Sequence, residues 1–340
     1  DLNGNGYLDL IAVIMGHYTR GDSGFFILHG GPDGYSPERI EFHPTDASSI
    51  MVSVADLNNN GHLDLLVRVP PTIYDNARIG LDVERWIKEG LVDIVAAGGG
   101  FIPFEQPVRE FVQAAEGTDC QILGSLEALR WALDEDVLHA LAARFWDAGV
   151  DGFYLFNYFN TPNEWKRRVL GKMVDRDGLP RLNKRYELDH SDRIPTGAFR
   201  YAVPLAQLPV ILEATLPHGG SVLQMDIADD AGTASLVQLG LGFHQIADDD
   251  ELEVRVNGEP LGWDSHRMSN DGWSYHKFDG VVYHTTMSVE TVEGTLIEFD
   301  VPPSALMKGI NDVTVRLIKG QSARLKPVVL TEARLSINYD

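Results

Sequence analysis

Two near-identical decapeptides constrain this chain more than any other feature. Asp1-Leu-Asn-Gly-Asn-Gly-Tyr-Leu-Asp-Leu10 and Asp56-Leu-Asn-Asn-Asn-Gly-His-Leu-Asp-Leu65 agree at 8 of 10 positions and start 55 residues apart. Each has the pattern D-x-N-x-N-G-x-x-D, in which oxygen ligands recur at every second position. In the first loop Asp1, Asn3 and Asn5 offer side-chain oxygens, Tyr7 a backbone carbonyl and Asp9 a closing carboxylate. The second repeats the set with Asp56, Asn58, Asn60, the carbonyl of His62 and Asp64. A hard cation such as Ca2+ takes this kind of donor set, and the glycine at loop position six permits the tight turn that gathers it. Each loop opens a strand rather than a helix, which argues against an EF-hand. A second reading is an Asx-rich turn without metal, because Asn-Gly is a turn former by itself.

Between the loops, Phe25-Phe-Ile-Leu-His-Gly-Gly-Pro-Asp-Gly34 reads as a strand entering a turn, and residues 49–55 as another strand. A period of about 55 residues made of short strands is the pattern of propeller blades. On both loops and the Gly30-Gly31-Pro32-Asp33-Gly34 turn, residues 1–66 resemble the FG-GAP/VCBS-type repeats of integrin-like and bacterial propellers. That resemblance implies a blade fragment with two calcium loops. Two carboxylates per loop imply weak binding, on the order of 10⁻⁴ M, as in extracellular modules.

Beyond residue 66 the texture changes to alternating strands and helices. Residues 65–69, 91–97, 120–123 and 152–157 are strand candidates, and 82–90, 105–116, 134–147 and 163–173 helix candidates. Each strand is followed by a helix, which specifies βα units and a parallel sheet. Arg68-Val-Pro-Pro-Thr72, Ile79-Gly-Leu-Asp-Val83, Gly90-Leu-Val-Asp-Ile94 and Ala148-Gly-Val-Asp-Gly-Phe-Tyr-Leu-Phe-Asn157 make residues 66–190 resemble the second half of a bacterial glycoside-hydrolase-like TIM barrel. Four parallel strands by themselves leave bare edges at 65–69 and 152–157, where self-association is expected. No linker separates blade from barrel, a pattern expected of a fusion, recombination or assembly join, or of a genuine fused protein covered by another chain. A start at Asp1, inside a motif, is the pattern of a fragment.

From residue 198 the sequence is all-β, with strand candidates at 200–203, 221–227, 234–244, 251–257, 295–301, 312–318 and 328–339. Asn257-Gly258 is a strong hairpin signal. A β-sandwich of jelly-roll type is expected. The expected organisation is multidomain, α/β plus all-β: a propeller-blade fragment over 1–66, a partial (β/α) barrel over 67–195 and a sandwich over 196–340.

The chain carries 28 basic and 50 acidic residues, a net charge of −22, which disfavours nucleic acid and anionic membrane surfaces as partners. No run of 18 apolar residues spans a membrane. The single cysteine, Cys120, excludes an internal disulfide and reads as a buried small hydrophobe.

Barrel chemistry sits at the C-terminal ends of strands, so few residues qualify. Arg68, Asn157 and Tyr158 are the candidates for holding a sugar. The barrel resemblance makes Glu127 follow strand seven, where many related barrels hold the nucleophile, and Glu105 is the other nearby carboxylate. Glycosidases need such a pair. Each also fits as an acid before a helix N-terminus. Trp86, Trp131 and Trp146 read as packing, Trp263 and Trp273 as better stacking candidates, and His266, His276 and His284 lack metal-ligand spacing. The composite implies an extracellular or periplasmic, carbohydrate-related protein with Ca2+ as cofactor. In one reading the parent protein hydrolyses glycosides while this chain lacks the full catalytic pair. In the other the chain is a non-catalytic, calcium-stabilised adhesion or carbohydrate-binding protein.

Overall fold

The computed structural model describes residues 10–14, 24–29, 31–32, 36–44, 51–55, 64–98, 104–127, 134–156, 158, 162–191, 206–213, 220–263, 266–269, 274–279, 288–320 and 326–339. The fold mixes helix and strand, with sheet dominant. Two compact units emerge. The first comprises Asp1–Gly100, Pro107–Leu126 and Gly149–Tyr154; the second comprises Phe101–Gln106, Glu127–Ala148 and Leu155–Asp340.

In the first unit, β1 (Leu10–Ile14), β2 (Gly24–Leu28) and β3 (Ile40–Pro44) form an antiparallel meander. A second sheet has the order β4 (Met51–Ala55), β5 (Asp64–Val69), β6 (Ile94–Ala97), β7 (Gln121–Glu127) and β8 (Gly152–Phe156). The β5–β6 and β6–β7 pairs are parallel, as the alternation of strands and helices predicts. The bare edge expected at 65–69 is corrected: β4 pairs antiparallel with β5 along its whole length, Ala55 opposite Asp64 and Met51 opposite Arg68. A strand has two hydrogen-bonding edges, and β5 uses one for the hairpin before it and the other for the crossover after it. β8 ends the sheet.

Three short helices, α1 (Ile73–Arg78), α2 (Val83–Lys88) and α3 (Arg109–Ala115), link the parallel strands. Thr72 caps α1 by accepting from the Asp75 N–H at 2.9 Å, and Asp82 caps α2. The sequence pattern misses α1 and starts α3 four residues early, because residues 104–106 belong to the second unit. An aspartate closes the start of two parallel strands onto their neighbours. Asp93 Oδ2 accepts from the Leu65 N–H at 2.7 Å, and Asp151 Oδ2 from the Ile122 N–H at 2.8 Å. Cys120, expected in the core, is only half-buried just before β7, where desolvation pushes its thiol up to about 11.

The second unit contains α4 (Glu135–Ala148) and α5 (Asn163–Val174). Its strands are β9 (Lys184–Glu187), β10 (Val210–Leu212), β11 (Gly220–Ile227), β12 (Leu236–His244), β13 (Glu251–Val256), β14 (Glu259–Pro260), β15 (Arg267–Ser269), β16 (Ser274–Asp279), β17 (Ser288–Glu293), β18 (Thr295–Asp300), β19 (Gly309–Lys319) and β20 (Val328–Asn338). One sheet runs β10-β20-β12-β18-β15 with β9 also on β20, another runs β11-β19-β13-β14, and β16 pairs with β17. All the strand pairings in these sheets are antiparallel. Strict alternation buries Leu252, Val254 and Val256 of β13 and Val313, Val315 and Leu317 of β19. Asn257 and Gly258 adopt φ of 50° and 84°, the primed-turn geometry that their hairpin requires.

Candidate functional sites

The parallel sheet positions the first candidate. Arg68 on β5 is in register with Ala96 on β6, which is in register with Leu123 on β7. Side chains alternate along a strand, so Arg68, Ala96, Leu123 and, two residues on, Ser125 share one face. Arg68 lies along that face, buried, its Nε donating to the Gly98 carbonyl at 2.9 Å. Its guanidinium carbon sits 5.9 Å from the centre of the Tyr154 ring on β8, within cation–π range. Ser125 is fully buried and its Oγ has no hydrogen-bond partner among the described residues. A guanidinium and a hydroxyl near the carboxyl ends of parallel strands can recognise sugar hydroxyls or a carboxylate.

The other sequence-derived candidates fall elsewhere. Glu127 is the last residue of β7, but its side chain lies outside the described residues, as do Asn157, Trp131 and Trp273. Tyr158 belongs to the second unit, buried with its ring stacked on Trp165 at 6.5 Å. Arg68 and Tyr158 are therefore in different units. Trp263, a stacking candidate for which ordinary sandwich packing is the favoured reading, has His266 stacked on it at 3.9 Å and Phe299 tilted against it at 6.0 Å.

Glu105 sits in a built polar cluster of the second unit. Its backbone N–H donates to Asp189 Oδ2 at 2.7 Å, and the Asp189 N–H donates back to Glu105 Oε2 at 2.8 Å. Gln207 Nε2 donates to Glu105 Oε1 at 2.6 Å. Gln207 in turn is held by β11: its Nε2 donates to the Gln224 carbonyl and its Oε1 accepts from the Gln224 N–H, both at 2.8 Å. Burial, then the charge of Asp189, pushes the Glu105 carboxyl up to about 7. Both oxygens are thus engaged by N–H groups, an arrangement that suits a structural carboxyl better than a group free to attack or protonate a substrate.

A second polar cluster in this unit was invisible in the sequence. Lys184 on β9 is 1% exposed and its Nζ lies 3.0 Å from Asp229 Oδ1. Asp229 also accepts from the phenols of Tyr186 and Tyr339. Asn183-Lys-Arg-Tyr-Glu187 reads as a polar surface run; only the parity of Lys184 and Tyr186, both facing inward, hints otherwise.

Of the ligands the sequence suggests for calcium, those within residues 1–9 and 56–63 lie outside the described residues. Asp64 does not. It is the first residue of β5, paired with Ala55 at the end of β4, and only 6% exposed. Its carboxylate thus stands where β5 begins, next to residues that lie outside the described ones. Among the described residues no three His, Cys, Asp or Glu side chains come together as a metal-holding group.

Residues 1–67 match the model of the FG-GAP-like repeat. No curated protein matches the chain. Among solved structures, a cycloisomaltooligosaccharide glucanotransferase of Paenibacillus sp. complexed with cycloisomaltoheptaose aligns at 11% identity and a TM-score of 0.21. The alignment covers 83% of this chain and 40% of that one, so this chain spans about two fifths of that protein's length. A likeness this slight carries no argument about fold or chemistry.

Proposed function

We propose that the chain is a calcium-stabilised, carbohydrate-related protein that works outside the cytoplasm and does not hydrolyse glycosides by itself. One observation carries the calcium reading. The strands that flank the second motif, β4 and β5, pair antiparallel inside the stretch that matches the FG-GAP-like repeat, and the motif's last carboxylate, Asp64, is buried at the start of β5. Asp56, Asn58, Asn60, His62 and Asp64 would hold the ion there, and Asp1, Asn3, Asn5, Tyr7 and Asp9 a second one. Bound there, Ca2+ would supply the charge that draws these oxygens together, and Asp64 would tie them to the start of β5. Support for the domain reading is the five-stranded sheet with parallel β5, β6 and β7 for a partial barrel, and two antiparallel sheets with alternating buried residues for a sandwich. Arg68, Asn157 and Tyr158 remain candidates for sugar contact, and Glu127 for catalysis in a longer parent protein.

The test is thermal melting and isothermal titration with Ca2+. A loop with Kd near 10⁻⁴ M stabilises its unit by about 2.7 kcal/mol at a hundredfold excess of calcium over Kd. Asp56→Ala and Asp64→Ala should each remove most of that gain. A melt unchanged by millimolar calcium overturns the calcium reading. Reducing-sugar release that disappears in Glu127→Gln overturns the non-hydrolytic one.

A further inference from the structure

The turn between β13 and β14 joins two features that bear on each other: a chemically labile dipeptide and a carboxamide whose polar atoms are all engaged. In an Asn-Gly pair the second residue has no side chain, so its amide nitrogen can reach the preceding carboxamide carbon. Here the Gly258 nitrogen would attack Asn257 Cγ and lose its proton as the new C–N bond forms, while Nδ2 leaves as ammonia. The succinimide so formed takes up water and opens to aspartate or isoaspartate. Gly258 is exposed and Asn257 half-buried, so water reaches the pair.

We propose that Asn257-Gly258 is a deamidation site that the folded chain holds closed through the Asn257 carboxamide. Its conversion to aspartate or isoaspartate uncouples the β13–β14 hairpin from the Pro303–Ala305 turn and the start of β19.

The closure rests on hydrogen bonds rather than burial. Asn257 Nδ2 donates to the Ala305 carbonyl and to Asn311 Oδ1, both at 2.8 Å, and Asn257 Oδ1 accepts from the Asp312 N–H at 2.9 Å. Swinging the carboxamide onto the Gly258 nitrogen gives up all three, so the reaction proceeds from a locally opened state. Asn311 is fixed in turn. It is 1% exposed, its Nδ2 donates to the Met307 and Gly309 carbonyls, and its Oδ1 accepts from the Met307 N–H. It cannot present its amine to residue 257 without losing those bonds. An aspartate at 257 would therefore set an oxygen, in place of Nδ2, against two other acceptors. The backbone does not distinguish the two residues, because Asn and Asp both tolerate the left-handed φ of 50° found there. Isoaspartate adds a main-chain carbon to a turn fitted to two residues, with Val256 opposite Glu259.

Peptide mapping by mass spectrometry tests this on the whole chain, aged at mildly alkaline pH in native buffer and in concentrated urea. Conversion of Asn257 should be at least about tenfold slower in the native sample, since each net hydrogen bond lost on opening is worth up to about tenfold. Asn311→Ala removes one acceptor and should speed the native conversion several-fold. Asn257→Asp, the reaction's own product, should lower the urea midpoint and speed hydrogen exchange in peptides covering 303–312. Equal rates in native buffer and urea overturn the proposal. So does an Asn311→Ala chain that folds and converts at the wild-type rate. If Asn311→Ala does not fold, Asn257→Asp decides: wild-type exchange over 303–312 overturns the coupling, and faster exchange upholds it.

Discussion

Replacing Asp229 with alanine offers the sharpest check on how the second unit is held together. The carboxylate meets three donors at once: the Lys184 ammonium at 3.0 Å and the phenols of Tyr186 and Tyr339. Lys184 has two further partners, the Leu182 carbonyl at 2.9 Å and the face of the Tyr339 ring at 5.0 Å. At 1% and 6% exposure, Lys184 and Asp229 have exchanged hydration for each other. Burial pulls the Lys184 ammonium down from its usual range, and the Asp229 charge opposes that shift without cancelling it. Truncating Asp229 leaves a buried ammonium without its counter-charge, a change that costs about 3–5 kcal/mol. For a domain of about 150–250 residues this lowers the melting temperature by about 6–20 °C. The assay is urea denaturation followed by far-ultraviolet circular dichroism, run on Asp229→Ala and as a double-mutant cycle of Lys184→Met and Asp229→Leu. The Lys184→Met/Asp229→Leu pair, which removes both charges, should recover most of the loss, because an apolar pair of similar volume is often neutral. An Asp229→Ala variant within 1 kcal/mol of wild type would refute the reasoning. Strictly additive single and double costs would refute it equally.

Three other substitutions probe how turns and strand starts are fastened. Asn311 is 1% exposed and makes four bonds: Nδ2 to the Met307 and Gly309 carbonyls, and Oδ1 from the Met307 N–H and Asn257 Nδ2. Asn311→Ala should cost about 3 kcal/mol and speed hydrogen exchange around residue 307, with unchanged exchange there speaking against a pinned turn. Asp93→Ala and Asp151→Ala each remove the acceptor for a neighbouring strand's N–H and should cost about 1–2 kcal/mol apiece in chemical denaturation. Losses below about 0.5 kcal/mol in both would show that water replaces those carboxylates.

Much of the secondary structure was legible before any coordinates. The alternation of apolar runs and amphipathic stretches located β6, β8, α2, α4 and α5 to within a few residues. Alternating Leu252, Val254 and Val256 announced β13, and Asn257-Gly258 its turn. These signals are local, set by side-chain period and by which residues tolerate positive φ. The helix expected over 105–116 failed at its start, since Glu105 is drawn to Asp189, 84 positions away. No periodicity within a short window reports a partner that distant.

The candidate sites divide the same way. The oxygen-rich loops, the net charge of −22 and the order of strand and helix were determined by the sequence alone, since each depends on residue type and spacing. Tertiary structure decided which edges and charges found partners. It brought β4 onto β5, where only a bare edge was expected, because hydrogen-bonding edges are satisfied by whatever strand arrives beside them. It brought Glu105 and Asp189 to exchange backbone-to-carboxyl hydrogen bonds, and buried Lys184 in an ion pair with Asp229. Ionisable side chains take their character from the groups that replace water around them, and those groups come together only when the chain folds.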